Sequence, residues 1–223
     1  MQDAADQVEG ATGVPTLEVE ENIIDVMIES WYINGPLLIL SVLAVYIFIE
    51  RIMAISKALK EEGNFMSKIK DYINDGKIDS ARNLCGTSDT PMARMLEKGL
   101  SRIGKHMDDI KASIENVGRL EIYNLEKNIG TLATIAGAAP MIGFLGTVIG
   151  MVNVFYSIRT EGNNLDSLAG GMMFAMTTTI VGLVVGILAY MAYNYLTARV
   201  SKVIHRMEST SIEFFDILEQ PGK

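Results

Sequence analysis

The chain has 223 residues, of which 49% are hydrophobic and 21% are charged, and its formal net charge at pH 7 is −8. A soluble domain carries more charge on its surface, and no basic patch favours a nucleic-acid partner, so the composition argues against both classes. Cys85 is the only cysteine, which excludes an internal disulfide and a cysteine-built metal site, and we expect it to be a small buried residue. No nucleophile motif, cluster of metal ligands or phosphate-binding loop indicates an enzyme, a metal or a cofactor.

Three long segments carry no Asp, Glu, Lys, Arg or His: residues 30–49, 128–158 and 167–198. The first has about the ~20 residues that a helix needs to cross hydrocarbon roughly 30 Å thick. The other two exceed 30 residues. At about 1.5 Å per residue each reaches roughly 45 Å, so both should project beyond the bilayer and pack against protein there. The pattern predicts three transmembrane helices, two of which extend into a cytoplasmic helical bundle.

The positive charges indicate the orientation of these helices. Of the 19 Lys and Arg residues, fourteen lie between Arg51 and Lys127, four follow Ala198, and none precedes Arg51. Cytoplasmic segments carry the excess of Lys and Arg in membrane proteins. The segment 51–127 and the C-terminus are therefore predicted to be cytoplasmic, which makes the topology N-out and C-in.

The segment before the first span is predicted to lie outside the membrane in two parts. Residues 1–16 are polar and small, which is typical of disorder. Residues 17–33 place apolar and acidic side chains on opposite faces at helical spacing, which indicates an amphipathic helix on the outer interface with Trp31 at headgroup depth. Residues 1–20 have neither the basic start nor the apolar core of a signal peptide, so we expect a leader to have been removed.

The charged segment after the first span reads as a series of helices. Short helices are expected at 65–74, 77–85 and 91–103, because glycines follow each of them. From Asp108 the pattern predicts one long helix that continues into the second span. We expect no separate core in this segment and interpret it as an extension of the membrane bundle, not as an enzyme domain.

The predicted fold is an all-α membrane protein without strands. Its segments after residue 33 are a first transmembrane helix (34–50), a cytoplasmic helical region (51–127), a second transmembrane helix (128–158), a short outer loop (159–168), a third transmembrane helix (169–198) and a C-terminal helix (199–223).

The second and third spans each carry a stripe of small side chains at helical spacing. Both stripes contain a Gly-x-x-x-Gly motif, Gly146 with Gly150 and Gly182 with Gly186. Small residues let helix backbones approach closely in lipid, where van der Waals packing drives association. Tight packing alone would account for the glycines.

Hydroxyl groups in the same spans permit a second interpretation. Thr147 and the run Thr177, Thr178 and Thr179 lie at mid-span depth, where a hydroxyl must bond a partner, often a carbonyl of its own helix, or line water. A chain that moved protons alone would be expected to carry an acid within the membrane, and neither long span contains one. Either the chain moves no ions, or another subunit brings a carboxylate into a pore that the hydroxyls line.

Residues 139–150, with the sequence APMIGFLGTVIG, resemble the second-helix signature of the ExbB/TolQ/MotA family at every defined position. The run from Thr179 to Val184, together with Tyr193 and Asn194, is similar to the third-helix signature. A looser likeness between Gly76 and Leu100 favours the ExbB branch. The resemblance extends over roughly residues 35–205.

This resemblance implies a homo-oligomer, a pentameric ring in the bacterial inner membrane that encloses a dimer of single-span ExbD-type partners. The aspartate of each partner would take up and release protons beside Thr147, Thr178 and Thr179, and the motion would act on a TonB-type protein. The residues implied to pack around this pore are Ala139, Pro140, Gly143, Gly146, Gly150, Gly182 and Gly186.

Two positions depart from the family pattern. Phe174 stands where ExbB proteins often have a glutamate, which places in question an ion role for any carboxylate of this chain. Leu188 replaces a proline, so the third helix should be straighter than in relatives. TolQ shares nearly all of these motifs and remains an alternative, as does a non-conducting scaffold. A MotA subunit normally has four spans and a larger cytoplasmic domain, and this sequence shows neither, so the pattern disfavours a MotA-type subunit.

Overall fold

The computed structural model describes residues 31–60, 64–161 and 165–219, and within them the chain is α-helical with no strand. Three helices in this part of the chain are long and apolar enough to cross a membrane, which confirms the predicted all-α fold with three transmembrane helices. Residues 1–16, and 17–30 of the predicted amphipathic helix, lie outside the described residues. The helices are α1 (Trp31–Ala58), α2 (Phe65–Asn74), α3 (Ile78–Thr87), α4 (Pro91–Leu100), α5 (Met107–Glu126), α6 (Ile129–Glu161) and α7 (Leu165–Glu219).

Three of these helices differ in extent from the predicted spans. Helix α1 begins at Trp31 and runs to Ala58, so the 34–50 span is its middle part. Helices α6 and α7 leave only residues 162–164 between them, where the charge pattern predicted a loop at 159–168. Charge-free windows mark where the membrane can lie, whereas a helix continues through charged residues such as Arg159, which lies favourably in the last turn of α6. The predicted third span and C-terminal helix are accordingly one helix, α7.

The prediction of one continuous helix from Asp108 into the second span is wrong. Helix α5 ends at Glu126 and α6 starts at Ile129. Between them Asn128 has a φ of 64°, in the left-handed region that ends α-helices and that asparagine tolerates better than most residues. The periodicity of apolar residues continues across the break, so this single dihedral change left no signal in the hydrophobic pattern.

The chain divides into two compact units. The described residues of the first unit are 31–42 and 136–187, and those of the second are 43–135 and 188–219. Each unit therefore combines segments that are far apart in the sequence.

The second unit has a buried core, so the expectation that the charged segment lacks one is wrong. Its fully or almost fully buried side chains come from α1 to α5, from the start of α6 and from the C-terminal part of α7; among them are Ile55, Ile69, Ala81, Cys85, Leu96, Ile114, Leu132, Val203 and Phe214. Gly99 illustrates the packing, because a Cβ atom there would lie 2.6 Å from Cδ1 of Ile114 and 3.0 Å from Phe214. The segment 51–127 supplies most of these buried side chains, and the start of α6 and the C-terminal part of α7 complete the core, so the pattern within that segment alone does not reveal it.

Two arginines join the helices of this unit. Arg94 donates to both carboxylate oxygens of Glu121 at 2.9 and 2.6 Å and to Asp89 at 2.6 Å. Its pKa is raised, chiefly by the hydrogen bond to Glu121. Arg51 is almost fully buried and donates to the carbonyl oxygen of Asn124, in the last turn of α5. A buried guanidinium requires such partners, so these bonds fix where α1, α4 and α5 meet.

Gly99→Ala is expected to destabilise the second unit by about 1–3 kcal/mol, because the added methyl overlaps Ile114 in a packed core. Gly86→Ala is the matched control: a Cβ there meets nothing within 4 Å, and removing a helical glycine should stabilise by about 0.5–1 kcal/mol. Thermal unfolding of the full chain in detergent, followed by circular dichroism, should lower the Tm of the first variant and leave or raise that of the second. Equal Tm values for the two would contradict the packing at Gly99.

Cys85 is expected to react slowly with thiol reagents in the folded chain. The side chain is 1% exposed, and its burial, with a smaller contribution from Glu97, raises the pKa of the thiol to about 12. Because the thiolate is the reactive form, labelling at pH 8 should be at least about 100-fold slower than in denaturant. Timed labelling with a chromogenic disulfide measures this ratio, with Ser101→Cys on the exposed surface as the accessible control. Equal rates for Cys85 and the control would show that the thiol is accessible.

Candidate functional site

The two long apolar helices meet backbone to backbone in the first unit. A Cβ atom at Gly182 would lie 2.7 Å from the carbonyl oxygen of Ala139 and 2.8 Å from Cα of Gly143. At Gly143 it would lie 2.9 Å from the carbonyl oxygen of Thr178. No side chain can be accommodated at either position without moving a helix, so only glycine permits this approach.

The other predicted packing residues extend the same contact in both directions. A Cβ at Gly146 would overlap the side chain of Thr178, and one at Gly150 would lie 2.8 Å from Cβ of Ala175. Towards the other end, a Cβ at Gly186 would lie 2.5 Å from the ring of Pro140. Ala139 is fully buried at the centre. All seven residues that the resemblance assigned to packing therefore lie at the contact between α6 and α7.

Thr147 and Thr179 face each other across this contact. Their hydroxyl oxygens are 2.5 Å apart, and either can donate to the other. The carbonyl oxygen of Gly143 lies 3.0 Å from the Thr179 hydroxyl and 3.4 Å from the Thr147 hydroxyl, so the threonine that does not donate to the other can donate to this carbonyl. Both threonines are partly exposed in the single chain, so the structure brings two hydroxyls and one carbonyl together at an accessible edge of the helix pair.

Thr178 lies next to this group but has different partners. It is fully buried, and its hydroxyl donates to the carbonyl oxygen of Ala175 at 2.9 Å while its side chain packs on Gly146. Thr177 likewise donates to the carbonyl oxygen of Met173, at 2.8 Å. Bonding to the preceding turn is a common way for threonine to satisfy its hydroxyl inside a helix. The three consecutive threonines therefore divide into one that reaches the other helix and two that bond their own.

Two features of the site were not predicted from the sequence. The first is the Gly143 carbonyl, whose role depends on glycine permitting the approach of Thr179 from the other helix. The second is a stack of Phe174 on Tyr32, with ring centroids 6.0 Å apart and an interplanar angle of 26°. Side chains of the start of α1, Ile33 and Leu37, are buried with Ala139 in the same apolar cluster. Nothing in the sequence indicated that these two aromatic residues, far apart in the chain, would stack on each other.

The chemistry available at this site is hydrogen bonding without charge. Hydroxyl groups both donate and accept hydrogen bonds, but neither hydroxyl ionises at physiological pH. No Asp, Glu, Lys, Arg or His lies in 128–158 or 167–198, and no group of three metal-ligating side chains occurs in the part of the chain that the structure describes. The pair can pass a proton only together with water or with an acid from another molecule.

Comparison with known proteins connects this geometry with a family. Residues 87–209, more than half of the chain, match the model of the MotA/TolQ/ExbB proton channel family. A biopolymer transport protein ExbB homolog from Methanothermobacter thermautotrophicus is 33% identical over 135 residues, which cover 60% of this chain and 47% of that protein.

Two further relatives are named ExbB and TolQ, the two branches of the family whose motifs the sequence resembles. The biopolymer transport protein ExbB of Aquifex aeolicus is 32% identical over 136 residues, which cover 60% of this chain and 86% of that protein. The Tol-Pal system protein TolQ of Haemophilus influenzae is 36% identical over 101 residues, covering 45% of this chain and 44% of that protein. The match spans less than half the length of the Methanothermobacter and Haemophilus relatives. The matched residues 87–209 include the helix contact from Gly143 to Gly186 and the threonine pair, and the described part of the chain has three helices able to span a membrane. The chain therefore belongs to the MotA/TolQ/ExbB proton channel family and is a multi-pass protein of the bacterial inner membrane.

Proposed function

We propose that the chain is the ring-forming subunit of an inner-membrane motor driven by the proton-motive force, of the ExbB type. The observation that carries this proposal is the hydroxyl pair of Thr147 and Thr179, bonded to the Gly143 carbonyl in spans that contain no Asp, Glu, Lys, Arg or His. Such a pair can support proton transfer at a carboxylate but cannot replace one. The chain would act with an ExbD-type single-span partner that brings the acid.

In the proposed mechanism, a carboxylate of the partner takes up a proton from the outer side and releases it to the cytoplasm beside the two threonines. The Thr147 and Thr179 hydroxyls donate to the carboxylate when it is charged and accept from it when it is protonated. They lower the cost of a charge at this depth without holding charge themselves. Each proton that crosses supplies about 2.3 kcal/mol per 100 mV, which drives motion of the inner partner.

The assembly that fits this mechanism is a closed ring, with five copies as the resemblance implies, around a partner dimer. The topology would be N-out and C-in, and the moving partner would act on a TonB-type protein. Thr178, buried against Gly146, would set the height of α7 relative to α6 and so hold Thr179 opposite Thr147, in place of lining the pore directly.

A TolQ-like role is the second candidate, because a TolQ protein is among the relatives at 36% identity. The same ring and the same threonine pair would then power functions of the cell envelope. Identification of the copurifying single-span partner separates the two roles. A non-conducting scaffold is the third candidate, in which the threonines serve packing alone.

Thr147→Val and Thr179→Val are each expected to reduce proton-driven transport on the order of 100-fold, the typical loss when a positioned proton-transfer group is removed. Valine keeps the shape and deletes the hydroxyl. Thr134→Val is the matched control. Thr134 lies on α6, as Thr147 does, and its hydroxyl donates to the carbonyl oxygen of Gly130 in its own helix, at 3.1 Å. Proton flux into vesicles containing the copurified complex is the measurement. Full flux in both pore variants, with an intact complex, would eliminate the relay and favour the scaffold.

Gly182→Ala is expected to lower both the Tm and the proton flux, because the methyl group would overlap backbone atoms of Ala139 and Gly143 and push α6 away from α7. Overpacking of this kind costs about 1–3 kcal/mol. Gly137→Ala, on α6 with nothing within 4 Å of the added Cβ, should leave the proton flux unchanged and leave or raise the Tm, as for Gly86→Ala. A normal Tm for Gly182→Ala would contradict the backbone contact on which the threonine pair depends.

A further inference from the structure

Three methionines lie on the same edge of the α6 and α7 pair as the two threonine hydroxyls. Met172 and Met176 come seven and three residues before Thr179 on α7, and Met151 comes four residues after Thr147 on α6. At about 3.6 residues per turn, each methionine falls within about 60° of the threonine on its own helix. Met172 and Met176 are exposed in the single chain, and Met151 is partly exposed. We call these three side chains the methionine surface.

The methionine surface lies on one side of the threonine pair, the side that leads to residues 162–164 between α6 and α7. In the other direction the same edge carries Phe144 and Leu183, which are both exposed. Two other exposed methionines, Met141 and Met173, are turned about 120° away from the threonine of their own helix. Met173 therefore provides a methionine next to the surface in sequence but outside it in space.

Exposure to lipid does not by itself account for methionine at this edge. Between residues 36 and 50 of α1, the exposed large apolar side chains are leucine, isoleucine, valine and tyrosine, and this segment has no methionine. Branched aliphatic side chains satisfy lipid, because the requirement there is apolarity. Methionine adds an unbranched chain with three rotatable bonds and a polarisable sulfur, which fills irregular gaps. Protein surfaces that must fit more than one geometry use methionine for this reason.

The partner of the proposed motor must meet this edge in more than one geometry. Its acid reaches the threonine pair at the open edge, so apolar side chains one turn away on the same partner helix lie against the methionine surface. A dimer inside a ring of more than two identical copies cannot present the same face to every copy. The contact at each copy must also change as the partner moves. A surface packed closely in one geometry would resist each change, because close-packed contacts are specific in shape.

We propose that Met151, Met172 and Met176 form an adaptable contact surface for the apolar face of the partner's transmembrane helix, beside the acid that reaches Thr147 and Thr179. The inference rests on the proposed function and adds the residues by which one subunit fits the partner helix in successive orientations. The methionines hold no charge and transfer no proton. They are positioning residues, which keep the partner's acid at the height of the hydroxyl pair while the helix changes its orientation.

Replacement of the two methionines on α7 tests this surface in the complex copurified with its single-span partner. The double variant Met172→Ile, Met176→Ile keeps apolar side chains of similar size but branches them at Cβ, which restricts χ1 in a helix. We expect proton flux into vesicles to fall about tenfold, because each step of the partner then meets side chains that cannot adjust. The mass of the complex, its partner content and its Tm should stay unchanged, since the substitution conserves volume.

Two controls separate flexibility from loss of packing. The double variant Met172→Leu, Met176→Leu is unbranched at Cβ and should keep at least about half of the flux, because leucine and methionine replace each other with little cost. Met173→Ile makes the same change as the test variant about 120° away on α7 and should leave the flux unchanged.

A photoreactive benzoylphenylalanine at position 176 reports the contact directly. Irradiation of native membranes that contain the full complex should join this position to the single-span partner, which mass spectrometry of the purified adduct identifies. The same amino acid at position 173 should give no adduct with the partner, because that position is turned away from the edge.

The results separate the methionine surface from the proton pathway. Full flux in the isoleucine double variant, or equal losses in the leucine and isoleucine double variants, would overturn the adaptable surface. A position 176 adduct that contains only lipid or a second copy of the chain would overturn it as well. If Thr147→Val still lacks flux in these cases, the proposed motor subunit stands. Normal flux in Thr147→Val with reduced flux in the isoleucine double variant would remove the relay and retain the surface.

Discussion

Helices α6 and α7 meet at Gly143 and Gly182 with no side chain between their backbones, and the site depends on this approach. In lipid no hydrophobic effect drives two apolar helices together, so close packing and hydrogen bonds between the helices must do so. The glycines bring the Thr179 hydroxyl within 3.0 Å of a carbonyl on the other helix. A methyl group at either glycine would separate the partners, so the hydroxyl pair depends directly on the packing of the two helices.

The hydroxyl pair satisfies polar groups in a medium where unsatisfied ones are costly. Thr147, Thr179 and the Gly143 carbonyl provide one another with partners, so the group is stable in a single chain before any other molecule arrives. Since both hydroxyls can exchange donor and acceptor roles, the network can reorganise around a charge without ionising. This property is what the proposed proton pathway requires of a span that has no Asp, Glu, Lys, Arg or His.

The parts of the fold that were predictable are those that depend on local composition. Charge-free windows located three membrane helices, and glycine punctuation located α2, α3 and α4 to within three residues at each end, because helix ends are determined within one turn. The resemblance located the threonines and the packing residues. The helix break at Asn128 was not predicted, because one residue in a left-handed conformation leaves the spacing of the apolar residues unchanged.

Contacts between distant segments could not be predicted in the same way. The core of the second unit joins Gly99 to Phe214, and the aromatic stack joins Tyr32 to Phe174. The spacing of residues along the sequence predicts neither pair, because each contact depends on how whole helices pack against one another. The division of the threonine run has the same origin, because only the position of Gly143 on the neighbouring helix decides that Thr179 reaches across while Thr178 stays in its own helix.

The aromatic stack restricts where an acid can enter the site. Phe174 lies on α7 five residues before Thr179, packs over Gly150 and is covered by Tyr32 of α1, so this part of the helix pair is apolar and closed by rings. A carboxylate of this chain at the same height would need a buried partner, and this position packs against the apolar cluster of Ile33, Leu37 and Ala139. An acid that reaches the threonine pair must therefore come from the open edge, where Thr147 and Thr179 remain partly exposed. That edge faces outward from the chain, where a carboxylate of another molecule could approach. The packing of a single subunit therefore fits the two-component design of the proposed motor.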